Sequence, residues 1–293
     1  MVTFYRRLPK LDYVKPKSVE EVLKLLGEGG EKVKVYAGGT DVIPKLKTRV
    51  MAVPALLVDL KGIPNLDYVT KDGDGGLRIG ALASIFSVAN ARLVKDRFPM
   101  LAQAAGSIAS TQIQNRGTIV GNICNAVPSA DSAPALLCLG ARAVCVSPRG
   151  ERTIDLAAFF AGPNKTVLDS DEIVKEIQVP PMAAGSRGAY IKLSPRARMD
   201  LAVVGVAALV KEEKGTVRDI RIGLGAVAPT PRRAAKAEAV LKGERPSEGK
   251  IAQAAKTASE EAQPIDDHRA SAEYRRMMVE VLVSRIVRQS LSL

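Results

Sequence analysis

The stretch from Gly117 to Ala135, G-T-I-V-G-N-I-C-N-A-V-P-S-A-D-S-A-P-A, constrains this chain more than any other. Gly117 and Gly121 permit backbone conformations and close approaches that side chains forbid. Thr118, Asn122, Asn125, Ser129 and Ser132 are short hydrogen-bonders that a turn can aim inward. Asp131 precedes Pro134 and the apolar run Ala135-Leu136-Leu137-Cys138-Leu139, which reads as a capped helix start. Small residues, amide donors and a single carboxylate suit a nucleotide, with backbone N–H groups for phosphate and Asp131 for a ribose hydroxyl. The plainer alternative is a glycine-rich connection between helices with Asp131 as its cap.

A second turn of the same kind stands upstream. Lys32-Val33-Lys34-Val35-Tyr36-Ala37 alternates charged and apolar residues as a half-buried strand does, and it runs into Gly38-Gly39-Thr40-Asp41. Two such turns, one from each half of a domain, are able to clamp a dinucleotide diphosphate from both sides. Other glycine motifs carry less. Gly223-Leu224-Gly225-Ala226-Val227-Ala228 fits the dinucleotide fingerprint G-x-G-x-x-A, but no strand returns after it to close a βαβ unit.

The remaining pattern gives an order of elements. Ser18 opens a helix with Val22, Leu23, Leu25 and Leu26 on its buried side and Gly29-Gly30 at its end. Strands follow at 55–60 and 77–82, the latter after the turn Asp72-Gly73-Asp74-Gly75-Gly76. Helical periodicity runs from Ser84 to Ala109, broken once at Pro99. Strands at 143–146 and 172–179 end at the diproline Pro180-Pro181, which marks the boundary between domains 1–179 and 180–293, the first split near 55. Beyond it, 189–193, 201–211 and 217–227 read as three strands, with Glu212 to Gly215 as a hairpin turn. Three helices close the chain, the first capped by Thr230 with Pro231, the second opened by Ser247, and the third spanning 271–291.

Composition excludes several functions. The net charge of +12 invites nucleic acid, yet aromatics are only 4% with no Trp, so stacking platforms are scarce. The charge is also dispersed, 23 basic and 18 acidic residues through Glu176 against 20 and 13 after it. No nucleic-acid partner is expected. Cys124, Cys138 and Cys145 form no C-x-x-C pair and no ferredoxin spacing, so neither a zinc site nor a resident iron–sulfur cluster is encoded. The sole histidine, His268, is too isolated for a metal site or a triad. No apolar run approaches ~18 residues, and no leader-like core follows Arg6 and Arg7, so a cytoplasmic protein without a membrane span is expected.

With these residues in place, the chain resembles the FAD-binding medium subunit of the molybdenum hydroxylases, of the carbon monoxide dehydrogenase and xanthine dehydrogenase type. The resemblance covers essentially the whole length. It is carried by Ala37-Gly38-Gly39-Thr40-Asp41, by Gln112 to Asn122 with Pro128 and Asp131, by Tyr190-Ile191-Lys192, and by the tail His268-Arg269-Ala270-Ser271-Ala272-Glu273-Tyr274-Arg275-Arg276. It implies an α+β fold, a vanillyl-alcohol-oxidase (PCMH-type) FAD-binding domain followed by a small domain of three-stranded antiparallel sheet plus helical bundle. It implies that Val35, Tyr36, Ala37, Gly38, Gly39, Thr40, Asp41 and Val42, together with Thr118, Ile119, Val120, Gly121 and Asn122, hold the diphosphate of a non-covalent FAD. Asp131 would contact the adenosine side, and Ile108 and Val174 would make apolar contacts. Lys192 would lie close to the flavin, where a fixed cation favours the anionic reduced ring and raises its potential.

The family's second turn usually reads T-I-G-G-N, and here Val120 replaces its first glycine. The cysteine-bearing insertion of the hydroxybenzoyl-CoA reductase branch is missing. The function implied is an electron relay, from iron–sulfur clusters on a small two-cluster subunit and molybdopterin on a large subunit, through FAD to an external acceptor. A dimer of such heterotrimers is the implied assembly. The alternative is a stand-alone FAD-dependent reductase on the same fold, enolpyruvyl-sugar-reductase-like, which needs a general acid near flavin N5 that no Ser/Glu pair here supplies distinctly. A basic nucleotide- or RNA-binding module is the non-enzymatic alternative.

Overall fold

A computed structural model describes residues 7–197 and 199–291; the first six residues, Arg198, Ser292 and Leu293 lie outside the described residues. Strand β1 (Asp12–Val14) leads into helix α1 (Val19–Gly29). The Ser18 hydroxyl accepts the Glu21 amide at its start, and Val22 and Leu26, one turn apart, are its buried residues. Strand β2 (Val33–Tyr36), helix α2 (Val42–Thr48) and strand β3 (Leu56–Asp59) complete a parallel sheet of order β1-β3-β2. Strand β3 is the centre of this sheet, so the parallel unit includes Leu56–Asp59.

The next unit opens with the hairpin of β4 (Val69–Lys71) and β5 (Leu77–Gly80) across the turn at 72–76. Helices α3 (Ile85–Asn90), α4 (Arg92–Arg97), α5 (Pro99–Gly106), α6 (Thr111–Gln114), α7 (Ile119–Cys124) and α8 (Ser132–Cys138) follow. The expected single break at Pro99 is joined by a second at Ala91, whose ψ of 128° is not helical. Strands β6 (Arg142–Ser147) and β7 (Gly150–Asp155), the turn of helix α9 (Leu156–Phe159), the small hairpin β8 (Phe160–Gly162) and β9 (Lys165–Thr166), and strand β10 (Ile173–Val179) finish it. The antiparallel order β4-β5-β10-β6-β7 places the last of these strands at the centre. Leu77 and Ile79 of β5, two apart and wholly buried, share a core with the helices.

The final unit is an antiparallel sheet of β11 (Ser186–Leu193), β12 (Val204–Glu213), β13 (Thr216–Gly225) and the two-residue β14 (Arg232–Arg233), one short edge strand more than expected. Lys214 (φ 51°) and Gly215 (φ 75°) make the left-handed turn that a tight hairpin requires. Helices α10 (Ala235–Leu241), α11 (Glu248–Glu261) and α12 (Ala272–Leu291) cover this sheet. Ser247 caps α11 by accepting the Lys250 amide, as its position predicts. Thr230 and Pro231 do not cap α10, because β14 intervenes and the helix starts at Ala235 with Ala234 at the cap position.

The unbroken apolar run in β12 is explained by period two. Ala207 and Leu209 join the core of the first 179 residues, whereas Val204, Val206, Ala208 and Val210 belong to a second core on the side of α12. One strand is therefore buried on both faces and welds the two halves together.

Candidate functional site

The strand β2 ends at Tyr36, and the loop to α2 brings Gly38 against the start of α7. A Cβ on Gly38 would sit 2.1 Å from the Arg116 carbonyl oxygen and 2.7 Å from Gly117 Cα, so no other residue fits. Gly39, at φ 77°, lies over the Tyr36 ring, and Thr40 Oγ1 faces Gly117. Loop 38–42 and turn 117–122 thus border one crevice, though they lie far apart in sequence. Among the described hydrogen bonds, no backbone N–H from Gly38 through Val42 donates to a protein acceptor. Successive amides without a protein acceptor in a glycine turn are donors left available to an anionic ligand.

The second turn is the first turn of α7. Thr118 Oγ1 caps it by accepting the Gly121 amide at 2.9 Å. The side chains of Ile119 and Val120 are buried in the core, so valine in place of the family glycine adds no bulk to the crevice. Asn122 Oδ1 accepts the Ser132 hydroxyl at 2.6 Å and so ties α7 to the start of α8. Ile108 and Val174 are both core residues, 7% and 4% exposed.

Asp131 corrects an expectation. Its side chain caps no helix amide. Instead Tyr190 O–H donates to its Oδ1 at 2.9 Å, and Lys192 Nζ donates to its Oδ2 at 2.8 Å and to the Ser107 carbonyl at 3.2 Å. Asp131 and Lys192, assigned by sequence to the adenosine and flavin ends of a cofactor, form one ion pair. Lys192 is accordingly half of a neutralised pair rather than a lone cation. Burial pushes the Asp131 carboxyl up, and the Lys192 charge with the two hydrogen bonds works against it. Tyr190 is raised well above its ordinary value, first by burial and then by the Asp131 charge.

A cavity of about 330 Å³ opens beside Lys192, lined by Gln103, Ser107, Tyr190, Leu193, Ser194 and Arg196 among others. Gln103 Oε1 accepts the Tyr190 amide at 2.9 Å, which fixes β11 against α5. Sequence reasoning did not single out Gln103 or Ser107, and it named Tyr190 only within the motif Tyr190-Ile191-Lys192, with no role of its own. Tyr190 carried a signal, since residues two apart on a strand share a face with Lys192. Gln103 and Ser107, four apart on a helix, carried one only once their helix had a partner.

The fingerprint-like Gly223 and Gly225 have a packing role. A Cβ at Gly223 would lie 2.4 Å from the Pro134 carbonyl oxygen, and one at Gly225 2.9 Å from Pro134 Cγ. They let α8 lie directly on β13, which holds Asp131 toward Tyr190 and Lys192.

Both halves of the chain match known families. Residues 9–182 match the family model "FAD binding domain in molybdopterin dehydrogenase", and residues 189–290 match the "CO dehydrogenase flavoprotein C-terminal domain". The chain belongs to the FAD-binding medium subunits of the molybdenum hydroxylases. It is 36% identical to the carbon monoxide dehydrogenase medium chain of Hydrogenophaga pseudoflava, over 94% of this chain and 96% of that one. It is 34% identical to the glyceraldehyde dehydrogenase medium chain of Sulfolobus acidocaldarius, over 96% and 98%. A solved structure of the Hydrogenophaga pseudoflava carbon monoxide dehydrogenase superposes with a TM-score of 0.94, covering 98% of this chain and 99% of that one. As a medium subunit the protein is an oxidoreductase component of a multi-subunit enzyme, and FAD is its cofactor. Among the described residues no helix is long and apolar enough to cross a membrane.

Proposed function

We propose that this medium subunit relays electrons from the iron–sulfur clusters of a small two-cluster partner, supplied by a large molybdopterin subunit, through FAD to an external acceptor in the cytoplasm. The observation that carries the cofactor's placement is the run of unpartnered amides at 38–42 facing turn 117–122 across one crevice. In this reading those amides, with those of Ile119 and Val120 at the start of α7, neutralise the diphosphate. Thr118, which takes up the Gly121 and Asn122 amides, shapes with those two residues the turn that meets it. Val35, Tyr36 and Ala37 shape the approach to the loop, and Ile108 and Val174 form its dry floor. Tyr190 and Lys192 line the 330 Å³ cavity, and Asp131, which accepts from both, holds them in place there. Bound there, FAD converts between one-electron donors and a two-electron acceptor. We read 1–179 as the FAD-binding domain and 180–293 as the domain that closes over it.

The relatives that match nearly the whole chain are subunits of multi-chain dehydrogenases, which favours the relay over a stand-alone reductase. The test is purification of the full chain with and without its co-expressed partners. The expected result is a yellow protein with flavin absorbance that assembles with two other chains. Gly38→Ala, which drives a Cβ into the Arg116 carbonyl, should lose the flavin. A flavin-bearing monomer with its own substrate turnover would sink the relay. Full flavin retention in Gly38→Ala would sink the placement.

A further inference from the structure

Four side chains from three separate segments meet at one edge of the crevice. Lys45, one turn into α2 from Asp41, donates from Nζ to Asn125 Oδ1 at 2.6 Å and to Asn164 Oδ1 at 3.0 Å. Asn125, just past the end of α7, donates from Nδ2 to Asp41 Oδ1 at 2.8 Å. The Lys45 amide donates to the Asp41 carbonyl at 3.1 Å, which closes the ring on the α2 side. Asn164 stands in the turn between β8 and β9, at φ 58°, and its own amide donates to the Ala126 carbonyl at 2.8 Å. The hairpin is thereby pinned to the end of α7 as well as to Lys45.

The chemistry of this ring is specific. A carboxamide accepts through oxygen and donates through nitrogen, so Asn125 can bridge an ammonium and a carboxylate at once. An aspartate there would face Asp41 with like charge, and an apolar residue would leave both partners short. Burial pushes the Asp41 carboxyl up, while the Lys45 charge and the Asn125 hydrogen bond oppose this. The Lys45–Asn125 and Asn125–Asp41 bonds join α2, which continues loop 38–42, to the far end of the short helix whose start is turn 118–122, and Asn164 buttresses both sides from the β8–β9 turn. The parallel-sheet unit and the helical unit are otherwise held here by the apposition of Gly38 and Gly117.

We propose that Lys45, Asn125 and Asn164 form a positioning strap that fixes the spacing between loop 38–42 and turn 118–122, and through it the affinity for the FAD diphosphate. The inference rests on the cofactor placement given above. The strap acts on the ligand through the two loops, and its value lies in holding two donor sets at one separation before the cofactor arrives.

The test uses the full chain stripped of flavin and titrated with FAD, followed by quenching of flavin fluorescence. Lys45→Met and Asn125→Ala should each raise the FAD Kd on the order of tenfold. The double variant should be no weaker than the worse single one, since both break the same ring. Lys45→Arg, which can still donate to both asparagines, should restore most of the affinity. The thermal midpoints of the flavin-free variants separate positioning from general weakening. Variants that bind FAD like the wild type, or that lose as much apoprotein stability as binding energy, would overturn the strap. A wild-type chain that takes up no FAD would overturn the cofactor placement together with it.

Discussion

At Asp131 and Lys192 two opposite charges are buried, 7% and 10% exposed, and neither is cheap without the other. Asp131→Ala should destabilise the protein by about 3–5 kcal/mol, because it strands the Lys192 ammonium. Replacing both, as Asp131→Leu with Lys192→Met, should recover most of that loss in urea unfolding. A double variant no more stable than the single one would contradict this account. A second buried carboxylate sets an acid limit. Burial acts to raise Glu176, but hydrogen bonds from Tyr68, Arg78 and Gln178 and the Arg78 charge outweigh it, holding the group below its ordinary 4.5. The unfolded chain therefore takes up this proton first on acidification. The stabilisation is present above about pH 4.5 and is lost as pH falls through the folded value. Thermal midpoints measured on acidification should fall less steeply for Glu176→Gln than for the wild type.

At the scale of elements, the contact of α8 with β13 depends on two missing side chains. Gly223→Ala places a methyl 2.4 Å from the Pro134 carbonyl oxygen, against backbone that cannot rotate away. Overpacking of this kind costs about 1–3 kcal/mol. It should lower the thermal midpoint and loosen Tyr190 from Asp131, visible as a shifted tyrosine absorbance. What the sequence disclosed at this scale follows the range of the forces involved. Ser18 and Ser247 cap helices within three residues of themselves, and Lys214-Gly215 makes its turn alone, so all were readable. The glycine loops were readable too, because the need for bare backbone leaves a compositional mark. Strand β7 was not, since its residues are nearly all exposed and carry no apolar alternation. Thr230 was misread because β13 captures Arg232 and Arg233 as an edge strand before α10 begins. Asp131 was read as a cap because its real partners lie 59 and 61 residues away. The asparagine Asn125 stood out as a hydrogen-bonder, but its partner Lys45 lies 80 residues off and only the fold pairs them.

For the whole molecule, the shared sheet matters most. Strand β12 contributes to both cores, and the Asp131–Lys192 pair and the Cys138–Arg221 contact cross the same boundary. The two halves should therefore unfold together. Far-ultraviolet circular dichroism and calorimetry should report one coincident transition, and two resolved transitions would show that each half stands alone. The same order of strands has a consequence for biosynthesis. Hairpins β4–β5 and β6–β7 emerge from the ribosome early but share no ladder with each other, because β10, made last, is the strand between them. Lys192 and Tyr190 emerge later still. The nascent chain thus carries its glycine loops well before it owns a pocket, and flavin loading belongs to a nearly finished polypeptide.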